Sequence, residues 1–155
     1  MLALASINHA VATEECAPAP VTYASAMRPD MFFAKSGKNV LTFIGYSAAG
    51  YQSTAAMLAI AENTLNEFEP SKTLINIGAT PEGIGAVYKL AKGKGFETTG
   101  IVSTEAQKSG APTSAFVDHV FYIEDSRWGG LIPGTDRLSP TSEAMVRLSD
   151  VIVGI

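Results

Sequence analysis

The chain has 155 residues, 46% of them hydrophobic, and carries 11 basic against 15 acidic residues for a net charge of −4. That makes one ordinary domain with a core of its own, and because the basic residues are scattered rather than massed in a stripe, no nucleic-acid partner is expected. The single cysteine, Cys16, excludes an intramolecular disulfide and gives no metal spacing, no apolar run reaches the roughly 20 residues of a membrane span, and no basic residue precedes Met1–Ile7 as in a secretory signal, so a reduced, cytoplasmic setting without a membrane partner is expected.

Residues 1–39 have no clear period, contain Pro18, Pro20 and Pro29, and close on Lys35-Ser36-Gly37-Lys38-Asn39. They read as a partly irregular N-terminal extension ahead of a domain spanning residues 40–155. Within the extension Met31-Phe32-Phe33 is too apolar to be left in water and is expected to dock on the domain or on a second subunit. Val40 to Tyr46 reads as the first core strand and breaks into Gly45-Tyr46-Ser47-Ala48-Ala49-Gly50. Leu58, Ala61, Leu65 and Phe68 then give a helix one apolar face, with Ser53 or Thr54 as cap and Pro70 at its end.

Leu74 to Ile77 reads as a second strand, buried on both faces, and Gly78 as the turn that leaves it. Thr80 is placed to cap the next helix and Pro81 fits its first position, while Ile84, Val87, Tyr88 and Ala91 recur at helical spacing before Gly93 and Gly95. A strand, a glycine turn and a helix start in that order present backbone N–H groups and a positive dipole end, which is an anion site. A third strand is expected at Glu97 to Ser103, followed by the irregular Thr104 to Ser114, and a fourth at Val120 to Ile123. Beyond the glycine-rich loop from Arg127 to Arg137, Ser139-Pro140 repeats the cap-plus-proline start of a helix whose Ala144, Met145 and Leu148 face inward, and Val151 to Ile155 is a fifth apolar run. Strands alternating with helices at this spacing predict an α/β fold, a doubly wound, parallel, Rossmann-like sheet of about five strands in the order 3-2-1-4-5. Ligands of such sheets bind beyond the carboxyl ends of the strands, where both glycine turns lie.

Neither turn is a Walker loop, since no Gly-Lys-Ser/Thr follows either strand, and the first turn has only Gly45 and Gly50 where a dinucleotide fold needs three glycines. Candidate phosphate or ligand-binding positions are Gly45, Tyr46, Ser47, Gly50, Gly78, Ala79, Thr80 and Gly83. Ser47 and Thr80 suit either an oxyanion bond or a helix cap, and Glu82 suits a helix dipole while repelling an anion beside it. Arg127 and Arg137 are candidate bidentate clamps or solvated loop residues; Trp128 is a base-stacking or core-capping side chain. Glu124 and Asp125 are the paired carboxylates at a strand end, the acid/base candidates if the chain is a hydrolase, although neighbours on a strand point apart. His9, His119 and Cys16 have no companion that would make a metal or redox site, and no cofactor is expected.

Ile75 to Ser103, with Gly78, Gly83, Gly85 and then Thr99-Gly100-Ile101-Val102-Ser103, is similar to the Gly-Gly-Gly-x-x-Gly-Leu-Met-Gly…Gly-Val-Ile-Pro run of the Lonely Guy proteins. Those are cytokinin-activating nucleoside monophosphate phosphoribohydrolases, also labelled lysine decarboxylase-like, in a wider nucleotide-binding superfamily. Phe43-Ile44-Gly45-Tyr46-Ser47 resembles their first phosphate turn, and Ala144 to Val153 resembles the helix and strand that lead to their second glycine signature. The resemblance spans about residues 40–155 and implies a nucleotide or phosphoribosyl ligand and, if catalytic, hydrolysis of an N-glycosidic bond, with Glu124 and Arg127 as the catalytic candidates. It also implies two departures. The Pro-Gly-Gly-x-Gly-Thr signature is expected just beyond Ile155, which marks a domain truncated at its C-terminus, and the family's Arg-Lys pair falls on Thr141 and Ser142. A non-catalytic carrier, sensor or interaction module is the alternative, and the exposed edge of the last strand predicts a homodimer.

Overall fold

The computed structural model describes residues 22–23, 27–48 and 50–155; His9, Cys16 and the expectation for Met1–Ile7 lie outside them. Six parallel strands make one sheet: β1 (Thr22–Tyr23), β2 (Asn39–Ile44), β3 (Thr73–Ile77), β4 (Glu97–Ser103), β5 (His119–Ile123) and β6 (Val151–Gly154), in the order β1-β5-β4-β3-β2-β6. Five helices join them: α1 (Pro29–Ser36), α2 (Thr54–Leu65), α3 (Ala86–Gly93), α4 (Thr104–Lys108) and α5 (Pro140–Arg147).

Alternation along the strands sorts the core into two layers. Leu41, Phe43, Ile75, Ile77, Val102 and Val120 meet Met57, Ala61 and Leu65 of α2, Val87, Tyr88 and Ala91 of α3, and Ala106 of α4. Val40, Leu74, Ile101 and Phe121 meet Phe33 of α1 and Ala144 of α5 on the other face. Helices on both faces of a parallel sheet are the doubly wound α/β architecture that the sequence predicts.

The first three core strands lie side by side as expected, but the fourth differs. β5 pairs with β4, Gly100 opposite Val120, instead of crossing to the far side of β2. The reason is reach. The five-residue α4 and the turn after it stay on the face of α2 and α3 and carry the chain only to the adjacent position. The reversal comes one connection later, where the long loop before α5 leads to the opposite face and β6 pairs with β2, Thr42 opposite Ile152.

Two helices were not expected. α1 begins with Pro29 at its first turn and ends on Gly37, whose φ of 63° closes the helix in the left-handed region. Phe33 is buried, and Phe32 sits 5.1 Å from the Phe121 ring and 4.7 Å from His119, so these two dock on their own sheet, while Met31 stays 59% exposed. α4 is capped by Ser103, whose hydroxyl accepts from Glu105 N–H at 2.9 Å. At the amino edge of the sheet Lys38 pairs with Glu97 at 2.8 Å, and the other Glu97 oxygen meets His119 Nε2 at 2.9 Å.

Phe33 anchors α1 to both β2 and β5, so Phe33→Ala is expected to lower unfolding free energy by about 3–5 kcal/mol, as for other buried Phe truncations. Urea titration followed by circular dichroism measures it; a loss below about 1 kcal/mol would mean that α1 does not pack on the domain.

Candidate functional site

The carboxyl ends of β2, β3 and β4 open into a cleft of about 440 Å³. Its walls are the turn after β2 (Gly45, Ser47), the turn after β3 (Gly78 to Glu82), Pro112-Thr113, the loop residues Trp128-Gly129-Gly130, and Thr141 and Ser142 in the first turn of α5. The lining is largely apolar, from Phe43, Ile77, Ile101 and Met145 among others. Among the described residues that line it, Glu82 is the one carboxylate and there is no Lys, Arg or His.

The two glycine turns hold each other. Ile84 N–H donates to Tyr46 C=O at 2.8 Å, and Gly83 sits at φ 58° where a Cβ would run into the Tyr46 and Ser47 carbonyl oxygens. Tyr51 ties the first turn to β6: its hydroxyl accepts from Tyr46 N–H at 3.1 Å and donates to Ile155 C=O at 2.9 Å. A Cβ on Gly45 would displace that hydroxyl. Ala79 adopts φ 55°, a conformation unusual for a residue with a Cβ. It is fixed on every side: Ala79 N–H donates to Tyr88 Oη at 3.1 Å, Ser114 N–H donates to Ala79 C=O at 2.8 Å, and Gly100 leaves the space its methyl fills. Tyr88 Oη donates in turn to Thr99 C=O at 2.8 Å. Burial pushes that phenol far above its ordinary range, the backbone bonds near Ala79 and Ile77 only partly opposing it, so it stays neutral.

The helix start expected at Thr80-Pro81 is corrected. Left-handed residues at Ala79 and Gly83 cannot continue a helix, and the chain makes a single tight turn over Gly83–Gly85 before α3 begins at Ala86. Thr80 caps no helix; its hydroxyl accepts from Glu82 N–H at 3.4 Å. The N–H groups of Ala79, Ile84 and Gly85 are committed to Tyr88 Oη, Tyr46 C=O and Glu82 C=O.

α5 is anchored by Asp125. The side chain is buried; Oδ2 accepts from Thr141 N–H and Oδ1 from Arg127 N–H, both at 3.0 Å. Asp125 C=O accepts from the hydroxyls of Ser103 and Thr104, both at 3.1 Å, which joins the ends of β4 and β5 to the start of α5. Burial opposes ionisation, but donors from Thr141, Ser139 and Arg127 outweigh it and hold the carboxyl below its ordinary value.

Of the positions expected from the sequence, Gly45, Ser47, Gly78, Ala79 and Thr80 line the cleft. Gly83 supports it from behind, Tyr46 contributes its backbone while its ring is exposed, and Gly50, at φ 73°, lies away from the lining. Glu124 and Arg127 are not brought to it: they border a separate depression of about 270 Å³ with Ser126, Ile132 and Pro140. Trp128 caps no core; it is 64% exposed at the cleft rim. Arg137 is exposed in a small hairpin closed by the Leu131–Leu138 bridge. Sequence reasoning missed Thr113 and the capping role of Asp125, whose partner Thr141 lies sixteen residues on and leaves no local signal.

Sheet, crossovers and cleft define a Rossmann-like, doubly wound α/β domain. Among solved structures, TM1055, a Northeast Structural Genomics Consortium target, superposes over 76% of this chain and 60% of its own with a TM-score of 0.51 at 18% identity. The Moco carrier protein from Chlamydomonas reinhardtii superposes over 76% of this chain and 62% of its own, with a TM-score of 0.49 at 19% identity. The chain therefore spans about 60% of the length of these structures. No family model and no curated protein matches the sequence. No described helix is long and apolar enough to cross a membrane.

Two outcomes check this geometry. Tyr88→Phe leaves Ala79 N–H and Thr99 C=O without their buried partner and is expected to cost about 1–3 kcal/mol by urea unfolding. Because the folded pKa of Asp125 is depressed, its contribution to stability is complete above the ordinary value of 3.8 and is lost as pH falls through the folded value. Urea midpoints are expected to fall below about pH 4, and Asp125→Asn to flatten that fall; an unchanged slope would show that the carboxylate does not cap α5.

Proposed function

We propose that the protein is a binding module for a nucleoside- or nucleotide-like small molecule, seated in the cleft with its heterocycle against Trp128 and its sugar hydroxyls on Ser47, Thr80 and Ser142. The observation that carries this reading is the cleft itself. It has the size and apolar lining of a small-molecule site, and it sits at the carboxyl ends of the strands of an open α/β sheet, beside the β2–β6 reversal. Exposed indole at its rim offers a flat surface on which a base can stack.

The same geometry supports binding over hydrolysis. Cleavage of an N-glycosidic bond needs a carboxylate within hydrogen-bond reach of the attacking water or the leaving base. Glu124 and Arg127 border the other depression, Asp125 is spent on Thr141 and Arg127, and Glu82 stands alone at the rim. The positions that resemble the Lonely Guy Arg-Lys pair present Thr141 and Ser142, which position a ligand without supplying charge. A homodimer accords with the outer strand β6, whose Val151 and Ile152 are each 40% exposed; sedimentation at micromolar concentration measures it.

A panel of nucleosides, their 5′-monophosphates and ribose 5-phosphate, read by thermal shift and calorimetry, is expected to contain at least one compound that raises Tm. Trp128→Ala is expected to weaken that compound by about fivefold or more, since base–aromatic stacking is worth about 1–3 kcal/mol. No free base is expected by chromatography after prolonged incubation. Release of base would establish a hydrolase instead, and no stabilisation by any member would sink the reading.

A further inference from the structure

Resting on the binding reading above, we propose that the ligand of the cleft is an uncharged, nucleoside-like heterocycle, taken in preference to the corresponding monophosphate, because the Ala79, Ile84 and Gly85 N–H groups of the turn after β3 and the Thr141 and Glu143 N–H groups at the start of α5 are bonded within the protein and no cation lines the cleft.

A phosphate at such a site is held by backbone N–H groups at a turn or helix start, by a cation, or by both. The turn after β3 has turned three of its N–H groups inward, to Tyr88 Oη, Tyr46 C=O and Glu82 C=O. The helix behind it begins only at Ala86, and the chain over Thr80 and Gly85 is packed so closely that a Cβ on Gly85 would strike Thr80 C=O. At α5 the anion position is filled: the Asp125 carboxylate takes Thr141 N–H, Glu143 N–H goes to Ser139 C=O at 2.8 Å, and Ser142 Oγ accepts from Gly130 N–H at 2.7 Å. Asp125 thus does at this helix start what a bound phosphate would do, and its negative charge opposes a second anion there.

No cation compensates. All eleven lysines and arginines of the chain fall at or after Arg28, and none lines the cleft. Lys38, Lys92 and Lys94 pair with Glu97, Asp118 and Glu62 away from it. The charge that does reach the rim is the exposed carboxylate of Glu82. What remains for recognition is apolar surface, the Trp128 indole, and neutral hydroxyls on Ser47, Thr80, Thr113 and Ser142. Those suit a neutral ring and its sugar hydroxyls.

Calorimetry of adenosine, guanosine, cytidine and uridine, each against its own 5′-monophosphate, tests this directly. The best nucleoside is expected to bind at least tenfold more tightly than its monophosphate, with an affinity insensitive to salt. Glu82→Gln is expected to narrow the gap by improving the monophosphate, and the Arg127→Ala, Arg137→Ala double variant to leave the monophosphate unchanged. A monophosphate that binds as well as or better than its nucleoside, or measurable binding of ribose 5-phosphate alone, overturns the proposal while leaving the binding reading intact. If no nucleoside and no monophosphate binds, both fall together.

Discussion

The bond from Ala79 N–H to the Tyr88 hydroxyl is the constraint on which the cleft depends. Ala79 is held at a positive φ that costs on the order of 1 kcal/mol for a residue with a Cβ. That cost is tolerable only because Tyr88 fills the core behind it and donates its own hydrogen bond to Thr99 C=O, so that the turn, α3 and β4 are locked by one fully buried side chain. The bend aims the chain after β3 across the ends of the neighbouring strands, and Gly83 then lets it settle against Tyr46 and Ser47. Replace any of these contacts and the two turns no longer share a wall.

Asp125 is the corresponding constraint on the opposite wall. A helix start exposes N–H groups that need acceptors, and a carboxylate is the strongest neutraliser of the local dipole. Here the acceptor comes from the end of β5, so α5 is set by the sheet rather than by its own first residue: Ser139 occupies the cap position without making a cap bond. The consequence is chemical as well as structural. The same N–H that fixes the helix is withdrawn from any ligand in the cleft.

The five strands β2 to β6 were legible because each is a compact apolar run between turn residues, whereas the two-residue β1 was not; Ser53 and Pro140 mark helix starts by local rules. Helices α1 and α4 were not legible: α4 is only five residues long, and in α1 the apolar residues Met31, Phe32 and Phe33 are consecutive, which announces burial but not conformation. Thr80-Pro81 looks like a helix start in one dimension. Positive φ at Ala79 is imposed by Tyr88, nine residues on, and by Gly100 on the next strand, so no local pattern encodes it. Strand order failed at β5 for a similar reason: alternation shows that strands and helices follow one another but not which face a five-residue helix takes. At the site, Gly45, Ser47, Gly78 and Thr80 were readable from turn chemistry, whereas Glu124 and Asp125 were a pair only in sequence. Just past β5 the chain sends them apart, Glu124 to solvent and Asp125 beneath α5.

Beneath the cleft a line of polar side chains crosses the sheet where apolar ones would be expected. Thr99 Oγ1 donates to Asn76 Oδ1 at 3.2 Å, Asn76 Nδ2 donates to Thr42 Oγ1 at 3.1 Å, and Thr42 meets the Ser149 hydroxyl just past α5. Thr42, Asn76 and Thr99 are buried, Ser149 is half-buried and all four are hydrogen-bonded, so the line locks the register of β2, β3 and β4 and seats the carboxyl end of α5 on them. With Asp125 at its other end, α5 is fixed at both ends to the sheet. The hairpin between β5 and α5, by contrast, is tied back by few bonds, chiefly Gly130 N–H to Ser142 and Ser139 N–H to Gly130 C=O, and it carries Trp128. The cleft is therefore built in two parts: a rigid floor and two pinned walls set its volume, and in the binding reading proposed above the Trp128 indole, on a segment tied back by few bonds, holds the flat face of the ligand against them.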